Sequence, residues 1–217
     1  MKSIILFFIT ILFAASVFGQ EEEKKKNTFP FQEFTVSINR TNVSSFGNEN
    51  RFGGGAGMYH SYTPKERLDL MLGIEYNYTS QFASIEYQGA IKHREDVTFH
   101  IHDLSVPLSF RLNIGRKVKY FVEPGFSFDF ALLARKNGYG FYPAGREEMM
   151  TQFSLNAKGM IGSPRLGAFL GMGVRIPMKG IEWIVKADYK IGTRLRGTDD
   201  YKLHQHYYRL GIGIRKK

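Results

Sequence analysis

Residues 104–114, Leu104-Ser-Val-Pro-Leu-Ser-Phe-Arg-Leu-Asn-Ile114, carry an apolar side chain at every second position and Ser, Pro, Arg or Asn between them. Neighbouring side chains on a strand point to opposite sides, so this pattern predicts a strand with one apolar and one polar face. The same alternation predicts eight strands, over residues 32–41, 51–62, 68–80, 99–114, 118–133, 165–177, 181–195 and 205–216. The connections alternate in length: 63–67, 115–117 and 178–180 are short, whereas 42–50, 81–98, 134–164 and 196–204 are long. Short turns on one side and long loops on the other, joined by strands of ten residues or more, are the rhythm of a transmembrane up-and-down β-barrel. A soluble sandwich needs strands of only about five or six residues.

One face of these strands is lipid-compatible: Leu68, Leu70, Leu72, Ile74, Tyr76 and Tyr78 on the third, Val122, Phe126, Phe128, Phe130 and Leu132 on the fifth, and Leu166, Ala168, Leu170, Met172, Val174 and Ile176 on the sixth. The seventh continues it with Ile181, Trp183, Val185, Ala187, Tyr189 and Ile191. Aromatic residues gather at strand ends, Tyr62, Tyr120 and Trp183 on the short-turn side and Tyr76, Tyr78, Phe130 and Tyr208 on the other, as interfacial girdles require. The opposite face carries Glu75, Arg111, Glu123, Asp129, Arg175, Lys186, Asp188 and Arg209. Eight strands enclose a bore that side chains can fill, so these charges are expected to pair across the lumen. Glycines on inward positions, among them Gly53, Gly55, Gly57, Gly125, Gly171, Gly173, Gly211 and Gly213, leave room for them. Residues 151–161 also alternate, but a ninth barrel strand would break the even count of bacterial single-chain barrels. That segment is expected to extend the hairpin above the membrane or to form a short helix.

The N-terminal residues supply the compartment. One positive charge at Lys2, an apolar run over 4–13 and small residues ending at Gly19 form the three-part layout of a cleavable secretory signal, assigned to residues 1–19. Residues 20–30, with Glu21-Glu-Glu-Lys-Lys-Lys26, are expected to be a disordered periplasmic leader, and 31–217 the barrel. After Gly19 no apolar run approaches the roughly 18 residues of a spanning helix. The chain has no cysteine, which excludes disulfides, thiol chemistry and a lipidated N-terminal Cys. Its net charge of +10 suggests anionic partners. For an exported chain the expected anions are lipopolysaccharide phosphates rather than nucleic acid, and the alternative is that the scattered Lys and Arg are simply solvated.

Several segments together, Gly55-Ala-Gly57, Leu104-Ser-Val-Pro-Leu108, Phe121-Val-Glu-Pro-Gly125, Gly167-Ala-Phe-Leu-Gly-Met-Gly173 and Tyr208-Arg-Leu-Gly-Ile-Gly-Ile214, resemble the PorT-like family of small outer-membrane β-barrels. The resemblance implies an outer-membrane barrel, and it permits, without requiring, a link to protein secretion across the outer membrane, with which some members are associated. The chain departs from many outer-membrane barrels in closing on Ile214-Arg-Lys-Lys217 instead of an aromatic residue.

Candidate chemistry is sparse. His100, His102, Asp103 and Ser105 lie close in sequence, but His102 and Ser105 are three apart and face opposite sides of a strand, which argues against a nucleophile and base dyad. The pairs His100/His102 and His204/His206 each share a face and could offer nitrogen to Zn or Cu, but they sit on strands expected on opposite walls. The alternative is polar residues at the membrane interface. Gly53-Gly-Gly55 precedes no helix and is no phosphate cradle. The expectation is a non-enzymatic outer-membrane β-barrel without a cofactor, acting as anchor or scaffold for envelope or secretion proteins. A narrow ion or small-solute passage and a lipid-modifying enzyme are the alternatives.

Overall fold

The computed structural model describes residues 31–41, 51–65, 67–88, 92–144, 147–161, 163–195 and 203–216. The expected signal and leader, residues 1–19 and 20–30, lie outside the described residues. Nine strands follow in chain order: β1 (Glu33–Thr41), β2 (Arg51–Lys65), β3 (Leu68–Gln88), β4 (Lys92–Ile114), β5 (Lys119–Ala144), β6 (Glu147–Asn156), β7 (Arg165–Pro177), β8 (Ile181–Leu195) and β9 (Leu203–Lys216). All pairings are antiparallel. β1 pairs with β9 as well as with β2, and β4 with β5, so eight strands close a ring in the order β1, β2, β3, β4, β5, β7, β8, β9. β6 stands outside that ring.

The short turns rest on glycine where the backbone demands it. Gly115, between β4 and β5, has φ +109°, and Gly180, between β7 and β8, has φ +79°, a region that side chains disfavour.

Outward residues form a continuous apolar wall. On β4 it runs through Leu104, Val106, Leu108, Phe110, Leu112 and Ile114, and the expected outward residues of β3, β5, β7 and β8 face the same way. From Leu104 to Ile114 the strand covers about 33 Å at roughly 3.3 Å per residue. At the usual barrel tilt this stands about 25 Å tall, the height of the apolar band of outer-membrane barrels.

Above this band the two faces of the sheet exchange character. On β4 the outward positions become His102, His100, Thr98, Asp96 and Arg94, while the inward ones change from Asp103 to Ile101, Phe99 and Val97. The last three are buried, and with Ala83, Ile85, Ala131, Ala134, Ala157 and Ile161 they form an apolar core, against which Tyr87 and Phe153 pack. An apolar core covered by a polar outer face is the arrangement of a sheet in water, so the membrane ends near His102. The exchange is helped by an irregularity in β5: Asp103 faces Ala131 but His102 faces Leu133, which leaves Leu132 as an extra residue. Leu132 and Leu133 are both exposed, and beyond them the inward phase of β5 moves to Ala134 and Lys136.

Two expected loops are corrected by this extension. Residues 81–98 are mostly strand, because β3 reaches Gln88 and β4 begins at Lys92, and the upper half of β5 occupies the start of the expected 134–164 loop. Residues 83–87 and 97–101 alternate regularly, but with the apolar side inward. β6 pairs with Arg135–Ala144 of β5, and a single 3-10 turn, Lys158–Met160, follows it, so the hairpin extension and the short helix are both present.

Candidate functional site: a lumen crossed by ion pairs

The polar face of the eight strands builds the interior, and every charged residue expected there is buried. Arg111 of β4 occupies the centre of one layer. Its Nη1 and Nη2 donate to Glu33 of β1 at 2.7 and 2.9 Å, and its Nε donates to Glu123 of β5 at 2.7 Å. The guanidinium also lies over the ring of Phe121, 4.4 Å from its centroid. Lys186 of β8 and the Ser109 hydroxyl each donate to the other Glu123 oxygen at 2.9 Å. β1 and β4 are three strands apart in the ring, so the Arg111 to Glu33 pair spans the bore.

A second layer is organised by Arg209 of β9. Its Nε donates to both Asp188 oxygens at 3.0 Å, and its Nη1 to Glu75 of β3 at 2.7 Å. Glu75 further accepts from the Tyr59 hydroxyl and from Asn77. Toward the short turns, Asp69 receives Arg175 and Arg215, each at 3.1 Å, and Asn113 at 3.0 Å. Toward the outer end, Lys190 donates to Asp129 at 2.7 Å and Arg165 to Asp103. Charges held in a low-dielectric interior are tolerable only when paired and hydrogen-bonded, and here each layer supplies both signs. The glycines give these long side chains their space. A Cβ on Gly171 would stand 2.9 Å from Lys186 Cε, and one on Gly55 2.6 Å from Asn77 Oδ1.

Expectation named Glu75, Arg111, Glu123, Asp129, Arg175, Lys186, Asp188 and Arg209, and the structure buries all eight in the lumen: Arg111, Glu123, Lys186, Asp188, Arg209 and Glu75 are joined pair by pair, while Arg175 pairs with Asp69 and Asp129 with Lys190. Glu33, Asp69, Asp103, Arg165, Lys190 and Arg215 were missed. Strand parity reveals most of them: Lys190 is two residues beyond Asp188, and Asp69 lies between the outward Leu68 and Leu70. Glu33 and Arg215 are close to strand ends, where parity alone does not say that a side chain still lies inside.

His100, His102 and His206 are on the outer wall. His100 and His102 share the outward face of β4 and meet Tyr78 and Tyr76 of β3. His206 is on β9 and stacks at 6.3 Å with Tyr189. His204 shares that strand, but its side chain lies outside the described residues. β4 and β9 are opposite in the ring, so the two pairs cannot share a metal, and no group of three His, Asp, Glu or Cys side chains placed to hold one occurs among the described residues. Ser105 is buried in the lumen, where its hydroxyl accepts from Asn77 at 3.3 Å, across the sheet from His102.

No family model matches the chain, and no curated protein matches it. Solved structures do. Neisserial surface protein A aligns at TM-score 0.50 and 10% identity over 86% of this chain and 96% of its own. Ail, the attachment invasion locus protein of Yersinia pestis, aligns at TM-score 0.35 and 11% identity over 86% and 98%, and the outer membrane enzyme PagL at 0.38 and 12% over 82% and 97%. The likeness to Neisserial surface protein A is one of fold. With the closed ring, the 25 Å apolar wall and the polar interior, the chain is an eight-stranded barrel of the bacterial outer membrane.

Proposed function

We propose that this barrel is a non-enzymatic anchor or scaffold that holds partner proteins in secretion or envelope biogenesis. The observation that carries the reading is the sheet above the membrane, which has an apolar core of its own and ends in β6. Among the described residues β6 pairs with β5 and with no other strand. A strand with one open side can accept a strand from another chain, with main-chain hydrogen bonds supplying affinity. The lumen supports the same reading against a passage, since its ion pairs cross the bore, and the resemblance to the PorT-like family supports a role in secretion. Lipopolysaccharide and outer-membrane lipid complete the partners, and nucleic acid is not among them.

A photo-crosslinking residue placed at exposed Gln152 or Ser154 on β6 is expected to yield discrete protein adducts in intact outer membranes, with none from the lipid-facing Leu170. Adducts from neither β6 position would overturn the scaffold role.

A further inference from the structure

Where the outer wall turns from apolar to polar, two tyrosines of β3 hold two histidines of β4. The Tyr76 hydroxyl is 2.6 Å from His102 Nδ1, and the Tyr78 hydroxyl 2.8 Å from His100 Nδ1. The Tyr78 ring also packs on His102, with centroids 4.9 Å apart. In the neutral tautomer whose hydrogen is on Nε2 the phenol donates to Nδ1, and in the imidazolium Nδ1 donates to the phenol while Nε2 keeps its hydrogen. Each ring then offers an N–H donor on its far side, and the two rings follow one another along the strand about 7 Å apart.

Arg135 is the register partner of His100 on β5, faces outward and is exposed, so a full positive charge flanks the two donors. Directly below, Leu104 and Leu133 begin the apolar wall, and directly above, Thr98 and Asp96 face water. The array is therefore rich in donors, positive, open sideways and level with the boundary between acyl chains and headgroups. The chemistry that fits it is a phosphate carried by a lipid, for which charge-assisted N–H donors are the usual ligands.

We propose that Tyr76, Tyr78, His100, His102 and Arg135 form a seat for the phosphomonoester of an outer-leaflet lipid of the lipid A type. The tyrosines are positioning residues, and the histidines and arginine bind. The seat does not depend on the scaffold role, and it deepens the expectation of lipopolysaccharide contact by assigning it to one wall of the barrel.

The test is native mass spectrometry of the folded barrel titrated with diphosphoryl lipid A, with the same lipid lacking phosphate, and with inorganic phosphate. Wild-type protein is expected to bind the phosphorylated lipid about tenfold or more tighter than the other two, given the usual worth of a charge-assisted hydrogen bond. His100→Phe with His102→Phe, which keeps rings at the interface, and separately Arg135→Gln should bring the phosphorylated lipid close to the level of the phosphate-free one. Tyr76→Phe with Tyr78→Phe, which leaves the donors but frees their orientation, should weaken it by a smaller factor. Equal binding of the two lipids by the wild type, or undiminished preference in both the histidine and the arginine variants, would overturn the seat. Inorganic phosphate binding as tightly as the lipid would overturn its assignment to a lipid. Retained heat-dependent gel mobility in each variant keeps a folding defect apart from a binding one.

Discussion

At the scale of single residues, the interior charges matter through their partners. Arg111 touches carboxylates on β1 and β5, and Glu123 receives Arg111, Lys186 and Ser109, so truncating either leaves the others buried without their counter-charge. Arg111→Ala and Glu123→Ala are each expected to lower the stability of the folded barrel by about 3 to 5 kcal/mol, the usual cost of breaking a buried pair. Lys179→Ala, in the exposed turn between β7 and β8, is expected to cost less than about 1 kcal/mol. Urea unfolding in detergent, followed by tryptophan fluorescence of Trp183, reads all three, and equal midpoints would contradict the network. The network was legible because parity on a strand is strict: once Leu108, Phe110 and Leu112 are outward, Arg111 has to be inward. Its pairings were not legible. Whether Arg111 meets Glu33 or Glu75 depends on the stagger of the closed ring, which no local pattern carries.

At the scale of the element, the strands within the membrane were readable and their continuations above it were not, for one physical reason. Residues 83–87 and 97–101 alternate as regularly as 104–114, but the solvent has changed, so the apolar positions Ala83, Ile85, Val97, Phe99 and Ile101 moved to the inner face. A reading tuned to an outward apolar face ends at the exchange, and for β5 it ended at the extra residue Leu132, where the local phase slips. This core should be separable from the barrel below it. Val97→Asp, placing a charge at a position with 0% exposure, is expected to open β3 to β6 above the membrane while leaving the ring intact. Limited proteolysis of intact cells should then cut the variant within the upper parts of β3, β4 and β5 and leave those strands of the wild type whole at the same dose, with both retaining heat-dependent gel mobility. Equal resistance of the two proteins would contradict an independent outer core.

For the whole molecule, closure decides the character of the protein. Every strand of the ring has a neighbour on both sides, so no edge is available from which unfolding begins, and the unboiled protein is expected to migrate differently from the boiled protein on a detergent gel. Identical migration, with the protein recovered in the soluble periplasmic fraction, would contradict the barrel. Closure also decides what can cross. Arg111 to Glu33, Arg209 to Glu75 and Arg215 to Asp69 each join walls three strands apart, and Lys186, Lys190 and Arg165 join walls two apart, which stacks bridges from the short turns to the outer core. The most direct measurement of this sealed interior is the current through purified protein in a planar bilayer under an applied voltage. The wild type is expected to pass no steady ion current. A reproducible, salt-dependent single-channel step would contradict the sealed lumen and make the barrel a passage.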